Sequence, residues 1–483
     1  MDFSQALRQS AHETHTENGQ YAHNTTGDRL LDFYSVVGSI RSRDVLEKQS
    51  LFVEAYKEDK LLTTKCLFYA RDVRGGLGER ETFRQLLEYA AKHHPEAIIG
   101  NIPLIPEYGR FDDLYSLIGT PLESKMWQFI REQFKQDVAD MNEGKPISLL
   151  AKWLKSVDAS SMLSRQIAYD TAKHLYLDPT GYKKLVRKLR KHIGIVERYM
   201  TRNEWNDIDY EAVPSRASMI YRNAFCRHDG ARYGEYIRSV ESGEAKINAS
   251  TLYPYDIIEK VMNHGESNAT LEALWKNLPN YVEPGTNALV IADTSGSMYY
   301  KPICTSIGLA LYFAERNTGA FHNLFMTFSS RSDIEEIRGE TLEQKVHNLS
   351  RAHWGFSTNL EAAFDNVLEV AVRNHVANED MVKALIIISD MEIDNCCEGL
   401  FYDEMKRKYA RHGYDLPNVI FWNVNSRHDV FHADSKRKGV QLVSGQSAST
   451  FKAVMDCIGM TPYEAMLKVL NSERYEAVRI GMP

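Results

Sequence analysis

Two hydrophobic rhythms divide the chain. From about Asp28 to Pro279 apolar residues recur at helical spacing almost throughout. Leu30, Leu31, Phe33 and Tyr34 open the first amphipathic segment, and Leu61, Leu62, Cys66, Leu67 and Tyr69 the next. Thr82 to Tyr89 and Met126 to Phe134 follow, then Ile167–Leu175, Tyr182–Ile193, Ala217–Phe225 and Leu271–Leu278. The connections are short and carry Gly, Pro or Asn. Successive helices with short links and no strands between them predict antiparallel helix pairs stacked as a divergent HEAT-like array. After Pro279, Pro284 and Gly285 the rhythm changes. Short apolar runs, Ala288 to Ala292, His322 to Ser329, Val382 to Ser389 and Asn418 to Val424, alternate with helical stretches. Ile334 to Ile337 and Val440 to Val443 read as shorter strands. Runs without alternation are strands buried on both faces, so this half predicts a doubly wound α/β sheet. The expected division is a helical domain over 1–284 and an α/β domain over 285–483.

Polar residues gather where the buried strands end. Asp293-Thr294-Ser295-Gly296-Ser297 follows the first strand, and a helical pattern begins just after Pro302. Ligands of open α/β sheets bind at that position. Asp293, Ser295 and Ser297 offer oxygen only, which suits a hard cation; a capped turn is the plainer alternative.

The helical half carries a different kind of polar block. Three glycines within Gly75-Gly76-Leu77-Gly78 form a loop flanked by Arg71, Arg74, Arg80 and Arg84. No Gly-Lys-Ser/Thr follows, so it is not a phosphate-binding P-loop. Between Leu150 and Trp205, 12 Lys/Arg stand against 5 Asp/Glu. Lys183, Lys184, Arg187, Lys188, Arg190 and Lys191 crowd one helix, with Lys152, Arg216 and Arg222 on neighbouring segments. A helix of this kind can contact phosphates, with Trp153 and Tyr182 as stacking partners; a merely solvated basic face is the alternative.

Composition adds bounds. The 483 residues are 43% hydrophobic and 25% charged, with net charge −7, ordinary values for a globular chain of two or three domains. No apolar run approaches a membrane span, and Met1 to Gln20 does not read as a secretory signal. The six cysteines show no CxxC pairing, which points to a reduced, cytoplasmic setting. Neither the His228-Asp229 dyad nor His93-His94 has the companions that catalysis or metal binding needs, so no enzyme is expected.

The blocks Phe68–Arg80 and Pro106-Glu107-Tyr108-Gly109-Arg110-Phe111-Asp112-Asp113-Leu114 resemble those of the TROVE family, the Ro ribonucleoprotein autoantigens. They are closer still to TROVE-like chains with a C-terminal von Willebrand A (vWA) domain, which Leu150–Ser161 and Val213–Ile258 also resemble. The resemblance implies a ring of HEAT-like repeats joined by a Rossmann-like vWA domain, and binding of small noncoding or defective RNA. In the C-terminal half it implies a metal-ion-dependent adhesion site. Asp293, Ser295 and Ser297 match its first loop, Thr358 its second and Asp390 its third. Gly355-Phe356-Ser357-Thr358 departs from the usual Gly-Gly-Thr, so Ser357 competes with Thr358 as ligand. Mg²⁺ is the expected ion, with Mn²⁺ and Ca²⁺ as alternatives, and an acidic group of a protein partner would complete its shell. A monomeric, non-catalytic RNA-binding protein is the first expectation. An adaptor that binds only proteins is the second, and a metal-assisted phosphoesterase the third.

Overall fold

The structure is a computed structural model that describes residues 12–264, 268–328, 332, 334–350, 359–395, 397 and 399–481. It is mainly helical, with a parallel-rich C-terminal sheet. Two compact units divide the chain, and they do not follow the 284/285 boundary. One comprises Met1–Thr82 with Ala249–Tyr475, the other Phe83–Asn248 with Glu476–Pro483.

In the first unit six strands line up in the order β5-β4-β3-β6-β7-β8. They are β3 (Ala288–Asp293), β4 (Leu324–Phe328), β5 (Ile334–Glu336), β6 (Ala384–Ser389), β7 (Asn418–Asn423) and β8 (Val440–Ser444). All pairs are parallel except β4 with β5 at the edge. Counted along the sheet's own strands this is the doubly wound order 3-2-1-4-5-6. Its switch point, where successive connections diverge, lies between β3 and β6. Both faces are covered, which is why the strands read as unbroken apolar runs. Leu289, Ile291, Leu385, Ile387 and Phe421 pack with Phe364, Phe401 and Tyr409. On β7 the next residue, Trp422, meets Phe451, which also packs on Phe313.

The N-terminal segment belongs to this unit for a physical reason. The helix Arg29–Val36, capped by the Asp28 carboxylate on Leu31 N at 2.8 Å, is buried along most of its length. Val36 and Ile40 join the sheet's core, and Gly38 N donates to Ser444 Oγ at 3.0 Å. Ahead of it, β1 (Glu13–His15) and β2 (Tyr21–His23) form an antiparallel hairpin. No strand was expected there.

The glycine-rich block is also structural. Asp72 is fully buried and accepts two bonds from Arg474, both 2.8 Å, and one from Tyr475 Oη at 3.1 Å. The loop closes through Leu77 N to Tyr69 O and Glu79 N to Ala70 O, at 3.1 and 2.7 Å. A Cβ on Gly76 would lie 2.1 Å from Tyr69 O; one on Gly78, whose φ is +68°, would lie 1.7 Å from Tyr253 Oη. Glu79 is buried and paired with Arg41.

In the second unit the helices Glu123–Asn142, Met162–His174 and Pro179–Ile193 pack on one another. The chain's end returns here: Asn101 and Arg479 exchange bonds of 3.1 and 2.6 Å, and Gly481 N donates to Glu96 O at 2.8 Å. Among the described residues the cysteines are free, and no helix is long and apolar enough to cross a membrane.

Candidate functional site

The β3–β6 register sets Ala292 beside Ile388, which brings the polar ends of the two strands together. Ser389 Oγ donates to Asp293 Oδ2 at 2.6 Å, and Ser295 N donates to Asp293 Oδ1 at 2.8 Å. The Ser295 and Ser297 hydroxyls lie 3.1 Å apart, and Ser297 acts to lower the Asp390 pKa from the same cluster. Asp293, Ser295 and Asp390 are buried; Ser297 is exposed and opens the cluster to solvent. Four of the five residues expected at the cation site are thus assembled. Thr358, with its competitor Ser357, lies outside the described residues.

The electrostatics of the cluster are unbalanced. Burial and the neighbouring Asp390 carboxylate push the Asp293 pKa upward. Burial also raises Asp390, against the pull of Arg427, whose Nη2 sits 3.0 Å from Asp390 Oδ2. The Thr294 hydroxyl is buried with no hydrogen-bond partner. Tyr300 and Met391, with φ of +70° and +69°, hold left-handed backbone on the two loops. Strain of this kind gathers at ligand sites. Oxygen donors around two crowded carboxylates form a set that a hard divalent cation fits.

Met391 is held by a buried histidine. His432 Nε2 donates to Met391 O at 3.0 Å, and burial lowers its pKa to about 4. A folded-state pKa below the ordinary 6.5 means that this group's stabilisation is complete above that pH and is lost as pH falls toward about 4. At most about 3 kcal/mol is involved. Denaturant unfolding across that window should show an acid-side decline that is shallower in His432→Gln.

The basic candidates separate into two groups. Arg71 and Arg222 are buried, and Arg222 donates to Met219 O. Arg190 gives its guanidinium to Ala151 O at 2.8 Å and Leu154 O at 2.6 Å. These three arginines are engaged inside the protein rather than presented to phosphate. Tyr182 is buried too, its hydroxyl on Lys155 O at 2.7 Å, so it offers no stacking face. Arg74, Arg80, Lys183, Lys184, Arg187, Lys188, Lys191 and Arg216 are exposed, and Lys152 is half-buried. Arg74 and Arg80 belong to the first unit. In the second unit, Lys152, Trp153, Lys155, Lys183, Arg187, Arg190 and Arg198 line a groove of about 560 Å³ with Asp158 and Glu197. Arg110 lies over the Trp153 ring at 4.0 Å.

Lys155 and Arg198 of this groove fall within the basic stretch of the sequence but are not among its contact candidates, and sequence reasoning missed Arg427 beside Asp390. It also missed Glu17, on the loop of the N-terminal hairpin, 2.7 Å from Arg427 Nη1. Asn18-Gly19 was the available signal for that hairpin, since Asn-Gly between short polar runs marks a tight reversal, and Gly19 has φ +90°.

Fold and site together define a mainly helical chain with a doubly wound C-terminal sheet that carries polar loops at its switch point. The chain belongs to the family described as Domain of unknown function (DUF2828), whose model matches residues 16–127 and 122–283. A second model, Domain of unknown function (DUF7788), matches 287–479. The chain is 28% identical to "Uncharacterized protein L728" of Acanthamoeba polyphaga mimivirus, over 94% of this chain and 87% of that one. Among solved structures it is similar to the RO (RSR) protein of Deinococcus radiodurans, at 12% identity, with 93% of this chain and 100% of that one covered and a TM-score of 0.37.

Proposed function

We propose that this is a non-catalytic RNA-binding protein that also holds a protein partner through a divalent cation. The observation that carries the RNA reading is the groove of the second unit, where Lys152, Lys155, Lys183, Arg187 and Arg198, five cationic side chains free of the backbone bonds that hold Arg190, stand with an indole against two acids. Phosphates take the charges, and a base can stack on the Arg110 guanidinium that lies over the Trp153 ring, which suits small RNA with single-stranded segments. The TROVE-like sequence blocks point the same way. On the sheet, Asp293, Ser295, Ser297 and Asp390 would hold Mg²⁺, or Mn²⁺ or Ca²⁺, in a vWA-type arrangement with Thr358 or Ser357 from the second loop. The cation would supply positive charge with a position open to a partner's carboxylate. Asp293 and Asp390 set its charge balance, and Ser297 marks the exposed side.

A second reading, a protein adaptor without an RNA role, draws on Tyr299 and Tyr300. They are 62% and 82% exposed beside Ser297, and exposed aromatics of this kind anchor protein interfaces.

Binding of a short RNA with a single-stranded tail, measured at roughly 50 and roughly 200 mM salt, tests the first reading. Affinity should fall steeply with salt. Asp293→Ala should keep that affinity while losing calorimetric binding of Mn²⁺. If no RNA binds even at low salt, the adaptor reading takes its place. If Asp293→Ala removes both activities, the two-site picture fails.

A further inference from the structure

The hairpin loop brings Glu17 to the edge of the sheet's polar loops. Thr16 Oγ1 donates to Ile393 O, and Asn18 Nδ2 to Glu392 O, both at 2.7 Å. Glu17 N donates to Glu392 Oε2 at 2.6 Å. On the third side, His428 Nε2 lies 2.7 Å from Glu17 Oε1. Ligand atoms of Glu17, Glu392 and His428 all fall within 4.8 Å of one another. We propose that these three residues form a second cation site, separate from the Asp293 loop, that takes a borderline divalent ion of the Zn²⁺ class.

Four features carry this. The first is distance. With ligand bonds of about 2.0–2.2 Å, two donors of a tetrahedral ion stand about 3.3–3.6 Å apart, so the cluster closes with side-chain shifts of roughly an ångström shared among the three residues. The second is bracing. Buried Arg43 pins the segment that presents His428, through Ser426 O at 3.1 Å, Ser426 Oγ at 2.6 Å and Asp429 at 2.5 Å. The second oxygen of Glu17 is held by Arg427 at 2.7 Å, the outer-shell partner that ligating carboxylates need.

The third is charge. Glu392 is 1% exposed, its Oε2 accepts from Glu17 N at 2.6 Å, and the Arg427 guanidinium on Glu17 is shared with Asp390. A divalent ion relieves that excess of carboxylate without bringing in a further side chain. The fourth is access. Glu17 and His428 are exposed, and His428 lines a groove of about 300 Å³, so an ion can enter and a water can fill its fourth position. The imidazole nitrogen sets the selectivity. Mg²⁺ and Ca²⁺ prefer an all-oxygen shell, and Zn²⁺ takes His with carboxylates. The bound ion would tie the N-terminal hairpin to the loop after β6.

The test is a Zn²⁺ titration of the full chain, stripped with chelator and then held in excess Mg²⁺. A competing chromophoric chelator reports free Zn²⁺, and hydrogen exchange follows the amides of residues 12–23. The wild type should retain one Zn²⁺ per chain and show slower exchange in the hairpin. His428→Gln and Glu17→Gln, both at exposed positions, should each weaken Zn²⁺ at least as much as loss of an outer-shell partner does, about 10–100-fold, and abolish the slowing. Asp293→Ala should leave both unchanged. The proposal is overturned if no Zn²⁺ is retained over Mg²⁺, or if both substitutions leave the titration intact, which would make the Glu17–His428 contact an ion pair only.

Discussion

Replacing Asp72 with alanine should destabilise the first unit by about 3 kcal/mol, the low end of the cost of breaking a buried charge pair. Arg474 is a third exposed, which keeps the figure from the top of that range. The loss follows from what remains behind. Asp72 accepts from Arg474 twice, from Tyr475 Oη and from Arg74 N at 3.0 Å, and it is itself fully buried. Alanine leaves a guanidinium and a buried phenol hydroxyl without their acceptor. Asp72→Asn should recover part of the loss, because one amide oxygen still accepts. Urea unfolding measures all three proteins. A change below about 1 kcal/mol for Asp72→Ala, the size of one ordinary hydrogen bond, would show that the clamp does not hold the unit together.

Neutralising the groove of the second unit should cost RNA affinity without costing stability. Changing Lys152, Lys155, Lys183 and Arg187 to glutamine removes up to four phosphate contacts. For single strands, each contact contributes about 0.7 to the slope of log affinity against log salt, so the slope should become shallower by about 3. At about 100 mM salt this amounts to roughly a hundredfold weaker binding or more. Fluorescence anisotropy over a salt series reads both quantities. Arg190→Gln is the contrasting case. Its guanidinium holds two backbone carbonyls, so it should lower the melting temperature before it changes the salt slope. A quadruple variant that binds RNA like the wild type would move the interface away from this groove.

These cases show what the sequence could reveal. β3, β6 and β7 were legible because burial on both faces leaves an unbroken apolar run, and the polar residues after β3 and β6 stood out by contrast. Much of the basic helix was legible as well. Tyr182, Val186 and Leu189 form its buried stripe at helical spacing. Lys183, Lys184, Arg187, Lys188 and Lys191 fall off that stripe, and Arg190 sits at its edge, so its inward turn is consistent with the period. Arg71 was harder. A glycine-rich loop with flanking arginines looks the same from sequence whether it faces solvent or wraps a buried aspartate. The partner that decides, Arg474, lies about 400 positions away. The same separation hid the place of the N-terminal segment. Its strands have three residues each, and what they rest on is loop.

That separation also has a consequence in time. Gly38 meets Ser444 across 406 positions, and His23 exchanges backbone bonds with Phe431. A ribosome adding about 5–20 residues per second makes the early segment roughly 20–80 s before the strands it completes. During that interval Val36 and Ile40, which join the sheet's core in the finished unit, have no sheet to cover them, although Phe33 can already pack on Phe52. Residues 83–248 emerge in the meantime and can begin folding on their own contacts. The first unit is therefore the last to close, and the waiting apolar helix is the segment of the nascent chain that a chaperone would be expected to hold.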